Sequence, residues 1–241
     1  MQRYFVNTKE NIFNLSHDDS YHIIKVMRNK IGDMLEVVID QELYICEIIQ
    51  MDKTTVTVKK IEKINQDSEL PCEVTIVQSL VKEQKMDLIL QKCCELGVSK
   101  IIPLNTTRSI VKLDKKETKK IERWNKILKE ASEQSKRVVI PTIEGIYDVK
   151  DLCNLDYDIK ILCTVNELST SIKKVLSKEL NGAKIILVIG PEGGFTDVEE
   201  KTLIDSGYIS TSFGNRVLRT ETASLYALSI INYILMRWMY E

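Results

Sequence analysis

The chain has 241 residues, enough for one large domain or a small domain beside a medium one. Hydrophobic residues make up 44% and charged residues 29%, with 34 Lys+Arg against 35 Asp+Glu, a net charge of −1. This composition excludes a disordered or acidic solvating chain, and the near-zero total hides any local charge.

The opening MQRYFVNTKE has no apolar signal core, and the only long apolar stretch, Ala223 to Met239, is interrupted by Ser224, Ser229, Asn232 and Arg237. Neither a signal peptide nor a membrane span is expected, and the location is read as cytoplasmic. Six cysteines (Cys46, Cys72, Cys93, Cys94, Cys153, Cys163) show no CxxC spacing, which points to reduced core thiols. His17 and His22, the two histidines, do not sit beside a cysteine pair, so no metal site is expected.

Residues 1–66 contain the short strand-like runs MLEVVI, LYICEIIQM and TTVTVKKI, broken at Gly32-Asp33 and Met51-Asp52-Lys53. They predict a small β-barrel or sheet. In HIIKVMRNKIGD, His22, Lys25 and Arg28 recur at helical spacing, either as an RNA-touching patch or as a solvated polar face. Between Lys63 and Pro71 the periodicity is lost, and a linker is expected there.

From residue 72 to 241 strands and helices alternate. CEVTIVQSL reads as a strand, followed by a helix with Met86, Ile89, Leu90, Cys93 and Cys94 on one face and Gly97 at its end. Next come strand KIIPL, a helix over 117–135, strand IKILC, a helix near 168–180, strand AKIILVIG, a helix over 197–206, strand YISTSF and the C-terminal helix. Such alternation predicts a parallel sheet covered on both faces. Residues 70–141 hold 15 Lys+Arg against 9 Asp+Glu, and residues 142–241 hold 10 against 14, so the basic excess is local. In the 117–135 helix Lys120 and Arg123, with Lys116 just before it, lie opposite Trp124 and Leu128, as a phosphate-facing stripe or a solvated face.

Two loops carry the chemistry. AKIILVIG runs into Gly190-Pro191-Glu192-Gly193-Gly194, and Thr196 with Glu199 then has the spacing of a capping box. Glycines at a strand-to-helix turn let backbone amides approach a ligand, although a tight turn alone would also use them. The pattern fits neither a P-loop nor a dinucleotide fingerprint. The second loop, FGNRVLRTETASLYAL, places Arg216, Arg219 and Glu221 at the head of an apolar helix that Thr220 or Thr222 would cap. Capping does not require two arginines, so an anionic or electron-rich partner is expected at this loop.

HIIKVMRNKIGD, KMDLILQKCCELGVSKIIPL, RWNKILKEASEQSKR, IGPEGGFTDVE and FGNRVLRTETASLYAL together resemble the 16S ribosomal RNA uracil-N3 methyltransferases, of the SPOUT class of trefoil-knotted methyltransferases. The resemblance covers nearly the whole chain. It implies a PUA-like RNA-binding β-barrel over 1–66 and an α/β domain over 72–241 with a parallel sheet and a C-terminal knot. It also implies a homodimer that binds S-adenosylmethionine (SAM) and acts on 16S ribosomal RNA, in the small subunit. Gly190, Glu192 and Gly194 match the loop near the methionine and ribose, and Gly214, Leu218, Arg219, Thr220, Thr222 and Ala223 the loop around the adenine. Thr164, in ILCTVNE where the family's short loop differs, is a further cofactor contact. Arg219 is the catalytic candidate, as a cation for the charge that spreads onto O2 and O4 when uridine N3 loses its proton. Competing readings are a knotted methyltransferase acting on another RNA and a non-catalytic RNA-binding or ribosome-assembly factor.

Overall fold

The computed structural model describes residues 1–241 except Asp67, Asp114–Lys116, Leu168, Lys178 and Glu241, and the side chains of 236–240. Two compact units emerge: Met1–Glu69 with Ser132–Val139, and Leu70–Ala131 with Ile140–Glu241.

The first unit is built on a five-stranded sheet in the order β1-β3-β4-β5-β2. Its strands are β1 (Arg3–Phe5), β2 (Ile12–Asn14), β3 (Met34–Ile39), β4 (Glu42–Met51) and β5 (Val56–Ile64). β1 runs parallel to β3 and the other pairs are antiparallel. Period-two alternation along β3 to β5 turns Leu35, Val37, Cys46, Ile48, Val56 and Val58 into one buried cluster with Tyr4, Phe13 and Ile23. The buried Arg3 is satisfied by Glu36 (2.9 Å), by Gln66 (2.7 Å) and by the Arg137 carbonyl (3.1 Å). A buried guanidinium requires such partners.

HIIKVMRNKIGD departs from the α-helical reading. After α1 (His17–Tyr21) the segment His22–Met27 is a π-helix closed by Arg28 N donating to Ile23 O, with Arg28 left-handed at φ 56°. The wider turn removes the i, i+3 stacking on which the one-face reading depended.

The second unit has an all-parallel sheet, ordered β12-β10-β11-β6-β7-β8, with β9 also on β7. These strands are β6 (Glu73–Ser79), β7 (Lys100–Asn105), β8 (Thr142–Ile143), β9 (Tyr147–Asp148), β10 (Ile159–Cys163), β11 (Lys184–Ile189) and β12 (Ile209–Thr211). Alternate residues serve two apolar layers: Ile185, Leu187 and Ile189 face one, Ile186 and Val188 the other. The first layer is completed by α2 (Glu83–Glu95), α3 (Thr118–Gln134) and α6 (Thr220–Tyr240), through Met86, Ile89, Trp124, Leu128, Ala227 and Ile231. α5 (Asp197–Asp205) contributes Leu203 to the second. The helix expected near 168–180 contracts to α4 (Ile172–Val175), capped by Ser171. Asn181-Gly182, with Gly182 at φ 73°, turns the chain soon afterwards.

Because the strands are parallel, the carboxyl ends of β10, β11 and β12 share one edge of the sheet. That edge carries the two glycine-containing loops.

Candidate cofactor cleft

The loops after β10, β11 and β12 and the start of α6 enclose a cleft of about 460 Å³. Its walls include Ile189, Phe213, Leu218 and Ala223. Thr164, Gly190, Glu192, Gly194, Gly214, Leu218, Arg219, Thr220 and Ala223 all line it. Thr222 does not; it is exposed in the first turn of α6.

The 190–194 loop is shaped by packing. A Cβ on Gly190 would stand 3.0 Å from the buried Phe195 ring, and Gly194 adopts φ 66°, where side chains are strained. The capping box read from sequence is present: Thr196 Oγ1 accepts from Glu199 N at 3.3 Å, and Glu199 Oε2 accepts from Thr196 N at 2.8 Å. Glu199 Oε1 also accepts from Thr107 N at 2.7 Å. Burial would raise the Glu199 pKa, but these amide hydrogen bonds outweigh it and hold the carboxyl below its ordinary range.

Thr220 corrects the capping expectation. Its hydroxyl donates to Gly190 O at 2.7 Å and accepts from Gln78 Nε2 at 2.9 Å, so it joins the two loops instead of closing α6. Arg219, immediately before α6, is exposed, as is Arg216. Thr164 Oγ1 donates to Glu200 Oε1 at 2.7 Å, and Asn166 Nδ2 donates to the same oxygen at 3.2 Å.

Three residues absent from the sequence reading belong to this region. Arg108, in the loop after β7, donates through Nη1 to Gly193 O and Phe195 O, both at 3.0 Å. Lys85, near the head of α2, lies 2.8 Å from Glu192 Oε1 and 3.4 Å from Glu221 Oε2. Gln78 is fully buried at the end of β6. The isolated amide in CEVTIVQSL was its only sequence signal.

The sequence-derived RNA candidates differ in their local settings. Lys25 and Arg28 are exposed, whereas His22 is half-buried with Nδ1 3.0 Å from Tyr4 Oη. In α3 Lys120 is partly exposed, and Arg123 is held by Asp87 (Nη1 to Oδ1, 2.8 Å) and Glu83 (3.2 Å). Lys116, and the side chains of Met236, Trp238 and Met239, lie outside the described residues. All six cysteines are free thiols, four of them buried. Burial pushes the cleft-lining Cys163 thiol up, away from reactivity. Among the described residues no cluster of potential metal ligands and no helix able to cross a membrane is present.

Residues 68–232 match the family model described as an RNA methyltransferase domain, and residues 15–61 match an RNA methyltransferase PUA domain. The chain is 38% identical over 249 aligned residues to the ribosomal RNA small subunit methyltransferase E of Bacillus subtilis, covering 97% of this chain and 96% of that protein. A Legionella pneumophila methyltransferase solved with bound SAM superposes with a TM-score of 0.88 at 29% identity, covering 96% and 97% of the two chains. The ribosomal RNA small subunit methyltransferase E of Neisseria gonorrhoeae, also bound to SAM, gives 0.87 at 26% identity over 97% and 98%. The glycine loops at one sheet edge, the domain matches and these full-length likenesses agree: the chain belongs to the RNA methyltransferase family of the ribosomal RNA small subunit methyltransferases E.

Proposed function

We propose that this chain is a SAM-dependent methyltransferase of 16S ribosomal RNA that methylates N3 of a uridine. The observation that carries the reading is the cleft itself, in a chain that aligns end to end with relatives solved with SAM. Its lining suits that cofactor. The glycine loop carries no lysine with which to clamp a polyphosphate, and the apolar walls accept an adenine.

When bound, SAM supplies a methyl group already activated on a sulfonium. The chain's own task is placement: Gly190, Glu192 and Gly194 hold the methionine and ribose side, while Gly214, Leu218, Thr220 and Ala223 hold the adenine, with Thr164 beside them; Thr222, outside the cleft, takes no part. Arg219 faces the uracil and offsets the charge that reaches O2 and O4 as N3 gives up its proton. Lys25, Arg28 and His22 of the PUA-like unit, with Lys116, Lys120 and Arg123 around α3, contribute RNA affinity. The loops around the cleft form a trefoil knot, and two copies associate as a dimer in the cytoplasm.

The test is a map of methylated uridines in small-subunit RNA from cells with and without the gene, beside the purified protein acting on small subunits with labelled SAM. Loss of one N3-methyluridine without the gene, restored by the protein, is expected. An unchanged map with intact SAM binding would move the activity to another RNA. Absence of SAM binding would reduce the chain to a binding factor.

A further inference from the structure

Gln78 is 0% exposed in a strand whose neighbours Val74, Ile76 and Val77 are equally buried. A buried amide is costly unless its hydrogen bonds are made, and an aliphatic side chain would fill a parallel strand at no such cost. Here they are made. Nε2 donates to Ser79 O (3.0 Å) and to Thr220 Oγ1 (2.9 Å), and Oε1 accepts from Ser224 Oγ (2.5 Å).

The direction of this chain is fixed by its last member. Gly190 O carries no proton, so the Thr220 hydroxyl donates to it at 2.7 Å. Thr220 Oγ1 can then only accept from Gln78, which turns the amide nitrogen toward Thr220 and its oxygen toward Ser224. The order Ser224 to Gln78 to Thr220 to Gly190 has a single self-consistent polarity. It ties the first two turns of α6 to the 190–194 loop, and Gly190 and Thr220 line the cleft while Gln78 does not.

We propose that Gln78 is a positioning residue for the cofactor: it orients the Thr220 hydroxyl so that the two cleft loops keep one spacing. This rests on the cleft being the SAM site. A satisfied buried network selects one arrangement among several of similar packing, whereas an apolar side chain would leave Thr220 free to rotate.

The experiment compares the full-length chain with Gln78→Leu, Thr220→Val and Thr220→Ser, measuring SAM affinity by calorimetry, melting temperature, and kinetics with SAM and RNA varied separately. Gln78→Leu and Thr220→Val are each expected to weaken SAM binding by at least about tenfold, because each leaves the Gly190 carbonyl without an oriented donor. For Gln78→Leu, which lies outside the cleft lining, the KM for SAM should rise accordingly, while the KM for RNA and kcat at saturating SAM stay within about twofold. The double variant should lose little more than the larger single loss, since both break one chain. Thr220→Ser, which keeps the hydroxyl, recovers most of the affinity. If Gln78→Leu does not fold, Gln78→Met, which keeps the length of the side chain and lacks the amide, decides: weakened SAM binding supports the assignment and wild-type SAM affinity overturns it. Wild-type affinity in Thr220→Val, or lowered melting with unchanged affinity in Gln78→Leu, would overturn the assignment while the cleft reading stands. A wild-type chain that bound no SAM would overturn the cleft reading, and this assignment with it.

Discussion

Lys85 and Glu192 form an ion pair of 2.8 Å between the head of α2 and the glycine loop after β11. Burial alone would raise the Glu192 pKa, but the hydrogen bond and charge from Lys85 outweigh it and hold the carboxyl below its ordinary 4.5. The bond to Glu192 raises the Lys85 pKa above 10.5, against a smaller opposing effect of desolvation.

The pH dependence follows from those directions. The Glu192 contribution is present above its unfolded value and is lost as pH falls through the depressed folded value; that of Lys85 is lost only at strongly alkaline pH. The melting-temperature difference between wild type and Lys85→Met should stay constant between about pH 6 and 8 and shrink below about pH 4.5. A difference that persists unchanged at about pH 3 would remove the pair from the account.

Gly190→Ala sets a methyl group 3.0 Å from the Phe195 ring, which is itself buried. Overpacking of this kind costs about 1–3 kcal/mol, to be read by denaturant unfolding, and the loop shift should also lower SAM affinity. Unchanged stability would show that the ring moves freely.

Arg219→Ala should leave SAM affinity largely intact and slow single-turnover methyl transfer roughly a hundredfold, as removing about 3 kcal/mol of electrostatic stabilisation does. Adenine is neutral and needs no cation. A variant with normal turnover, or one in which affinity and melting temperature fall together, would return Arg219 to a structural role.

Lys120 and Arg123 should separate in RNA binding. Lys120→Ala is expected to reduce the slope of log affinity on log salt by about 0.7–0.9, the release expected for one phosphate contact. Arg123, already neutralised by Asp87 and Glu83, should change the slope less. Equal effects would mean that Arg123 exchanges its carboxylates for phosphate.

Dimerisation is expected to use α6, a mainly apolar helix on which Tyr233 is 70% and Tyr226 39% exposed. Scattering should give a dimer at micromolar concentration, and Tyr233→Glu a monomer. A wild-type monomer would reverse that expectation.

Local patterns were legible in the sequence and distant partners were not. The Thr196–Glu199 capping box and the buried face of Met86, Ile89, Leu90, Cys93 and Cys94 depend on residues within two turns, and both are present. Thr220 looked like a cap because its partners, Gln78 and Gly190, are 142 and 30 residues away. Arg108 left no signal because it holds backbone carbonyls, which every residue offers. His22–Met27 was misread because a period of 3.6 was applied to a π-helix.

The first unit is discontinuous in sequence, since Ser132–Val139 belongs with Met1–Glu69. Arg3 reaches the Arg137 carbonyl, Glu69 Oε1 accepts from Val138 N at 3.1 Å, and Val138 packs with Val38 and Leu43. During synthesis the ribosome therefore releases the five sheet strands long before the segment that completes their packing. A truncation after residue 69 would leave Arg3 buried without that acceptor. For this unit translation order and folding order part company, and its last stitch must wait for a stretch of chain made after more than a third of its neighbour.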